Sequence, residues 1–308
     1  MEAASPSVNP SDAQPSPSVN LVDAQRLLSL FAQGISGRYF HLQPLAALKG
    51  EFRPRAPTTD GRTLFLPDAV EEFAEPRQNL GFYKVAVMHQ IGFFEFGTWA
   101  FELAEARRRV PALATREVEK WRAHSGELET FFACFQEQRL LRRLFGALED
   151  HRVDSGLART YPGLRRDLSR AMELALERRG VLPSIEGAAG LLEALVRCTL
   201  REGVETLRTA DATGQVEVVI DAARRTGEPQ ADVYTSAEQA IRCLEHLRTA
   251  GIEPTLDVLM LDDVEGSVEV VDFRGDAALD LAQLRVRIEA SQHALETLGE
   301  AGTPISPD

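Results

Sequence analysis

The chain is poor in cysteine, poor in basic charge, and without a long uninterrupted apolar run. Its three cysteines, Cys134, Cys198 and Cys243, lie far apart and form no CxxC pair. An odd, sparse set in 308 residues fits reduced thiols in a cytoplasm better than a disulfide framework. Lys and Arg number 34 against 47 Asp and Glu, a formal net charge of -13. That surplus argues against a general nucleic-acid binder, which needs a dominant basic face to displace counterions. It argues equally against docking on anionic lipid. The most apolar stretch, Leu80 to Leu103, is interrupted by Lys84, His89, Gln90, Glu95 and Glu102, whereas a bilayer span needs about 20 mostly uncharged residues. The first twenty residues have neither a basic start nor an apolar run, so no export signal is expected there. No Walker-type glycine loop and no GxSxG occur, so neither ATP hydrolysis nor a serine nucleophile elbow is expected.

What is present is mainly helical. Residues 1–20 hold four prolines and five serines and are expected to be a disordered tail. A helical domain is expected over 21–180, a second, smaller helical region over 184–300, and a linker-like end over 301–308. From Leu21, the spacing of Leu27, Leu28, Phe31 and Ile35 predicts a helix that stops at Gly34 or Gly37. Residues 48–61 read as a loop, and TLFLPD at 63–68 as a short strand, edge-placed or paired in a small sheet.

Residues 79–109 predict one long helix broken near Gly97. It is apolar on almost every face and therefore surrounded by protein, with Gly92 and Gly97 each admitting a close neighbour. Helices follow over 126–150, continuing through EDHRVDSGLART, then from Pro162 to Gly180, over 185–207, over 216–225 and over 236–250. The last begins with a capping-box pattern from Ser236 to Gln239. The pairs in 184–250 resemble a helical-repeat array, but no period is sustained over three units. A strand is expected at 267–273 and a final helix at 280–298. Cys134, beside Phe131, Phe132 and Phe135, reads as a small buried hydrophobe. The arginine runs at 107–109, 142–143 and 165–166 read as solvated faces near helix ends, and Asp262, Asp263 and Glu265 as a polar turn.

The segment that could carry chemistry is Met88-His89-Gln90-Ile91-Gly92-Phe93. Zinc peptidases of the HExxH type place two histidines four residues apart on one helix face, with a Glu beside the first as base. Here only His89 survives. Gln90 stands where the base should be and cannot accept a proton at neutral pH, and Phe93 cannot coordinate zinc. Two readings compete. One is a residual zinc site of His89 and Glu149, with His151 or Glu95. The other is a buried histidine bonded to a carboxylate that itself pairs with an arginine, such as Arg152. The two missing groups favour the second.

The same residues carry a resemblance. LFLPD, YKVAVMHQIGFFEFGTWAF and LFGALEDHRVDSGLARTYPGLRRDL, over residues 60–175, resemble the amino-terminal region of the NorD/CbbO family, and VVDFRGDAALDLAQLR at 270–285 weakly resembles a later block. The resemblance implies a degenerate zincin-like core helix and an adaptor partnered with a MoxR-type AAA+ ATPase hexamer. Such adaptors support activation of a client enzyme, Rubisco in one branch and nitric oxide reductase in the other; HQIGFFEFGT leans toward Rubisco. It further implies that His89, Gln90, Phe93, Glu95, Gly97, Glu149, Asp150, Arg152 and Asp154 are structural or interaction residues, with no catalytic group and no cofactor. Family members usually carry a von Willebrand factor A domain with a DxSxS metal site. No DxSxS occurs here, and the proline-bearing GTPISPD end favours truncation before that domain. A zinc-dependent hydrolase and a helical scaffold for peptides are the alternatives.

Overall fold

A computed structural model describes residues 17–48, 56–116, 126–252 and 273–275 of the chain. The expected strand at 267–273 (except Phe273), the helix at 280–298, the polar turn at 262–265 and the ends at 1–16 and 301–308 lie outside the described residues. The rest is mainly helical with a small strand element, as the hydrophobic periods predict.

Two small sheets flank the first helices. Val19–Asn20 (β1) pairs antiparallel with Ala69–Val70 (β5), so the end of the expected tail is ordered. Thr63–Leu66 (β4) lies between His41–Pro44 (β2), parallel to it, and Thr58–Thr59 (β3), antiparallel to it. The TLFLPD strand is thus a central strand of a three-stranded sheet. Leu64 and Leu66 are buried beneath it.

Leu21–Ser36 (α1) ends where Gly37 takes the left-handed conformation and returns its N–H to the Gln33 carbonyl. Its buried face is Leu21, Ala24, Leu28 and Ala32. Leu27 faces solvent instead of joining that stripe, because one residue's turn of about 100° carries it past the edge of the contact. Pro76–Glu95 (α2) opens with proline at its first turn and buries residues on every face. It stops at Gly97, which is left-handed, and a short 3-10 turn leads to Leu103–Arg109 (α3). The predicted long helix is therefore two, with Gly97 as the break.

Glu127–Ala133 (α4) and Gln138–Thr160 (α5) replace the single helix expected from 126 onward. Arg165–Arg179 (α6) follows Pro162 and ends at Gly180. Gly187–Thr199 (α7) and Val204–Ala210 (α8) replace the helix expected over 185–207. Val216–Thr226 (α9) and Val233–Thr249 (α10) complete the described part. The capping box of α10 is Asp232 with Thr235 rather than Ser236 with Gln239. Asp232 accepts the Thr235 N–H at 3.0 Å, while the Ser236 hydroxyl is committed elsewhere, as shown below.

α5 is the axis of the molecule, in contact with α2, α4, α6, α7, α9 and α10. One buried apolar cluster runs from α1 through α2 and α5 to α10, so helices on both sides of the Gly180 turn share a core. α2 crosses α5 closely because both carry glycine at the contact. A Cβ on Gly92 would lie 2.6 Å from Val153 Cγ1, and one on Gly156 would lie 2.9 Å from the Phe96 ring. Gly92 thus admits a bulky side chain, as expected. Gly97 does not; it serves the turn. Gly92→Val is expected to cost about 2 kcal/mol through overpacking, read as a lower urea midpoint with unchanged slope.

Candidate functional site: the His89 ion-pair network

His89 sits on α2, fully buried, with the edge of its ring toward Phe93 at a centroid distance of 4.9 Å. α5 presents two aspartates four residues apart, hence on one face, and both point at the imidazole. His89 Nδ1 lies 2.9 Å from Asp154 and Nε2 lies 3.2 Å from Asp150. A neutral imidazole offers one donor and one acceptor. Two carboxylates facing both nitrogens call for two donors, which the imidazolium supplies. Burial alone would lower the His89 pKa, but the charge of Asp154 and the bonds to both aspartates outweigh it and hold the group up to about 9. Asp150 is pushed up by burial, against the opposing pull of His89. Burial also acts to raise Asp154, yet Arg274 and His89 bring it below the usual carboxylate range.

The arginine of the network comes from far along the chain. Phe273, Arg274 and Gly275 are seated in the core. Arg274 Nε donates to Asp154 at 2.8 Å, and its terminal nitrogens donate to the Thr199 hydroxyl at 2.9 Å and the Thr199 carbonyl at 3.1 Å. The Arg274 carbonyl accepts from Gln90 Nε2 at 2.8 Å. Phe273 stands edge-on to His89, with centroids 6.2 Å apart. Gly275, at φ +81, lies so close that a Cβ would fall 2.0 Å from the Pro57 carbonyl oxygen. With His89 and Arg274 as cations and Asp150 and Asp154 as anions, the four charges cancel, three of them fully buried and Asp150 partly so.

A second network uses the other face of LEDHRVD. Glu149, fully buried, is gripped in bidentate fashion by Arg152, at 2.8 and 2.6 Å. It also accepts from the Ser236 hydroxyl of α10 at 2.7 Å and from the Thr98 hydroxyl after Gly97. Arg152 in turn donates to the Phe96 carbonyl at 3.0 Å. Glu149 and Arg152 thus fasten the α2–α3 connection and α10 to α5, while Asp150 and Asp154 fasten α2 and the 273–275 tripeptide.

The expected histidine–carboxylate–arginine relay is present, with one correction. Its arginine is Arg274, not Arg152, because Arg152 is committed to Glu149 and the Phe96 carbonyl. Its carboxylates are Asp154 and Asp150. The residues proposed as zinc ligands do not converge. Glu149 faces Thr98, Ser236 and Arg152. Glu95 is exposed and accepts from the Tyr161 hydroxyl, which burial and then Glu95 push up to about 12. His151 points toward the Thr199 backbone and Gly227. Among the described residues, no three His, Cys, Asp or Glu side chains are arranged to hold a metal ion. Arg274 is the member that sequence reasoning missed. Its signal was the FRG tripeptide within the VVDFRGD block, but no local rule ties residue 274 to a helix 120 residues earlier.

The remaining sequence candidates fall as follows. Cys134 and Cys243 are buried and Cys198 partly so, all three free thiols; burial pushes Cys198 up to about 11 and Cys243 up to about 12. Arg107, Arg108 and Arg109 occupy the last turn of α3, complementing its dipole. No described helix is long and apolar enough to cross a membrane. No protein-family model, curated protein or solved structure matches the chain.

Proposed function

We propose that this chain is a non-catalytic adaptor body that docks on a MoxR-type AAA+ ATPase hexamer in the cytoplasm and supports activation of a client enzyme, with Rubisco favoured over nitric oxide reductase. The observation that carries this reading is the closure of the His89 network. Both ring nitrogens face carboxylates, and Gln90, at the position of a metallopeptidase base, holds the Arg274 carbonyl. Groups that would do chemistry in an HExxH helix serve here to lock a rigid body together, and rigidity is what a docking part requires. The resemblance over 60–175 suggests the motor, and LEDHRVD supplies buried contacts that hold the body together without a metal.

Co-expression with the cognate MoxR-type ATPase tests the reading. A complex that co-elutes and turns over ATP at an altered rate is the expected result. Separate elution with an unchanged ATPase rate contradicts it. Elemental analysis of protein purified without chelator is the test of the hydrolase alternative, which requires stoichiometric zinc that is lost in His89→Ala.

A further inference from the structure

A solvent-open cavity of about 360 Å³ lies where α5, the first turns of α6 and the end of α7 meet. Its lining is Ser155, Ala158 and Arg159 from α5, Arg165 and Ser169 from α6, and Arg201 just beyond α7. Three arginines and two serines thus line it, and among the described residues no Asp or Glu does. In a chain of net charge -13 this is unusual, because acids elsewhere claim the arginines. Arg197 pairs with Glu193 and Glu202, Arg208 with Glu205 and Glu217, and Arg224, Arg225 and Arg242 share Asp221.

Two of the cavity arginines are held by backbone instead. Arg159 Nη1 donates to the Gly227 carbonyl at 2.8 Å and Arg165 Nε to the Ala158 carbonyl at 2.5 Å. A guanidinium has five N–H donors, so these bonds orient the groups and leave the other donors available. Arg159, Arg165 and Arg201 are all exposed to solvent, so the site is an open surface cavity rather than a buried pocket.

Arg201 supplies an independent observation. Among the described residues it is the one non-glycine with positive φ, at +70. It occupies the left-handed position of a helix-ending motif, with Arg201 N–H to the Cys198 carbonyl at 3.0 Å and Glu202 N–H to the Arg197 carbonyl at 2.9 Å. Glycine is the usual occupant there, and a side chain costs about 1 kcal/mol. Despite that backbone cost, the position holds an arginine, and it is the third arginine on the cavity lining.

We propose that this cavity binds a phosphate-class oxyanion carried on a small molecule. Three cations and two hydroxyls match the charge and four acceptor oxygens of a tetrahedral dianion better than a monoanionic carboxylate. A volume of about 360 Å³ accommodates the phosphate together with a body of sugar size. The site is independent of the adaptor reading.

Titration calorimetry on the full chain with inorganic phosphate, pyrophosphate and acetate tests it. Saturable binding of phosphate and pyrophosphate but not acetate is expected. Arg159→Ala and Arg201→Ala should each weaken binding about tenfold, the loss of one charge-assisted contact. Arg201→Gly should weaken it equally while holding or raising the melting temperature, since it relieves the backbone. Arg208→Ala, at a paired arginine outside the cavity, should leave binding unchanged. No saturable phosphate or pyrophosphate binding below about 10 mM, on the affinity scale where a 1 mM dissociation constant is about 4 kcal/mol, overturns the proposal. So does binding that survives Arg159→Ala and Arg201→Gly.

Discussion

Arg274→Ala is expected to destabilise the folded chain by about 3–5 kcal/mol, the cost of removing one partner from a buried ion pair. The guanidinium satisfies Asp154, the Thr199 hydroxyl and the Thr199 carbonyl at once, and Arg274 and Asp154 are each only 1% exposed. Without it, Asp154 keeps only the imidazolium, and Asp150 and Asp154 together outweigh one cation. Gly275→Ala reaches the same point by another route, because its Cβ cannot coexist with the Pro57 carbonyl and the backbone there is left-handed. Both variants should lower the urea midpoint substantially. A change within about 0.5 kcal/mol in both, the range of ordinary surface substitutions, would mean that the tripeptide is not seated against α5. The pair Arg274→Met with Asp154→Asn should cost less than the sum of the singles, since residues in one network couple.

Stability should fall on both sides of a maximum near pH 6.5, and two histidines set the flanks. His89 has a folded pKa of about 9, above its ordinary 6.5, so its contribution is complete below pH 6.5 and is lost as pH rises through 9. His151 shows the opposite shift. Burial, then the charge of Arg274, lowers it to about 4. The unfolded chain therefore takes up a proton on His151 between pH 6.5 and 4 that the folded chain refuses, and stability falls as pH falls across that window. At about 1.4 kcal/mol per pKa unit, each limb amounts to a few kcal/mol. The lowered Asp154 adds a further loss below its ordinary 3.8, and the raised Asp150 makes stability fall as pH rises above that value. His151→Gln should flatten the acid limb. His89→Ala should flatten the alkaline limb and cost about 1–3 kcal/mol at neutral pH through the orphaned carboxylates. Urea midpoints between pH 4 and 10 measure both.

Periodicity made the helices legible and left their interruptions obscure. α1, α6 and α9 follow from apolar spacing with glycine or proline at their ends. The helix over 185–207 was split by a left-handed Arg201, which no propensity rule anticipates at an arginine. The start of α10 shifted to Asp232 because Ser236 is drawn to Glu149, a contact 87 residues away. At the site, His89 and the LEDHRVD block stood out as titratable residues set among apolar ones on buried helices. Which acid faces which base did not stand out, since Glu149 and Asp150 are adjacent and point to opposite networks. Four-residue spacing of Asp150 and Asp154 was the readable clue to a shared face. Arg274 depends wholly on tertiary folding.

The protonation state of His89 bears most directly on whether the α2–α5 contact is an ion-pair lock. Following its imidazole resonances by NMR across pH 5–10 in the full chain, with His89→Gln identifying the signals, gives that state. A ring protonated throughout the neutral range and losing its proton near pH 9 is the expected result. A ring neutral at pH 7, titrating at or below 6.5 and shifting on one equivalent of zinc, would contradict it.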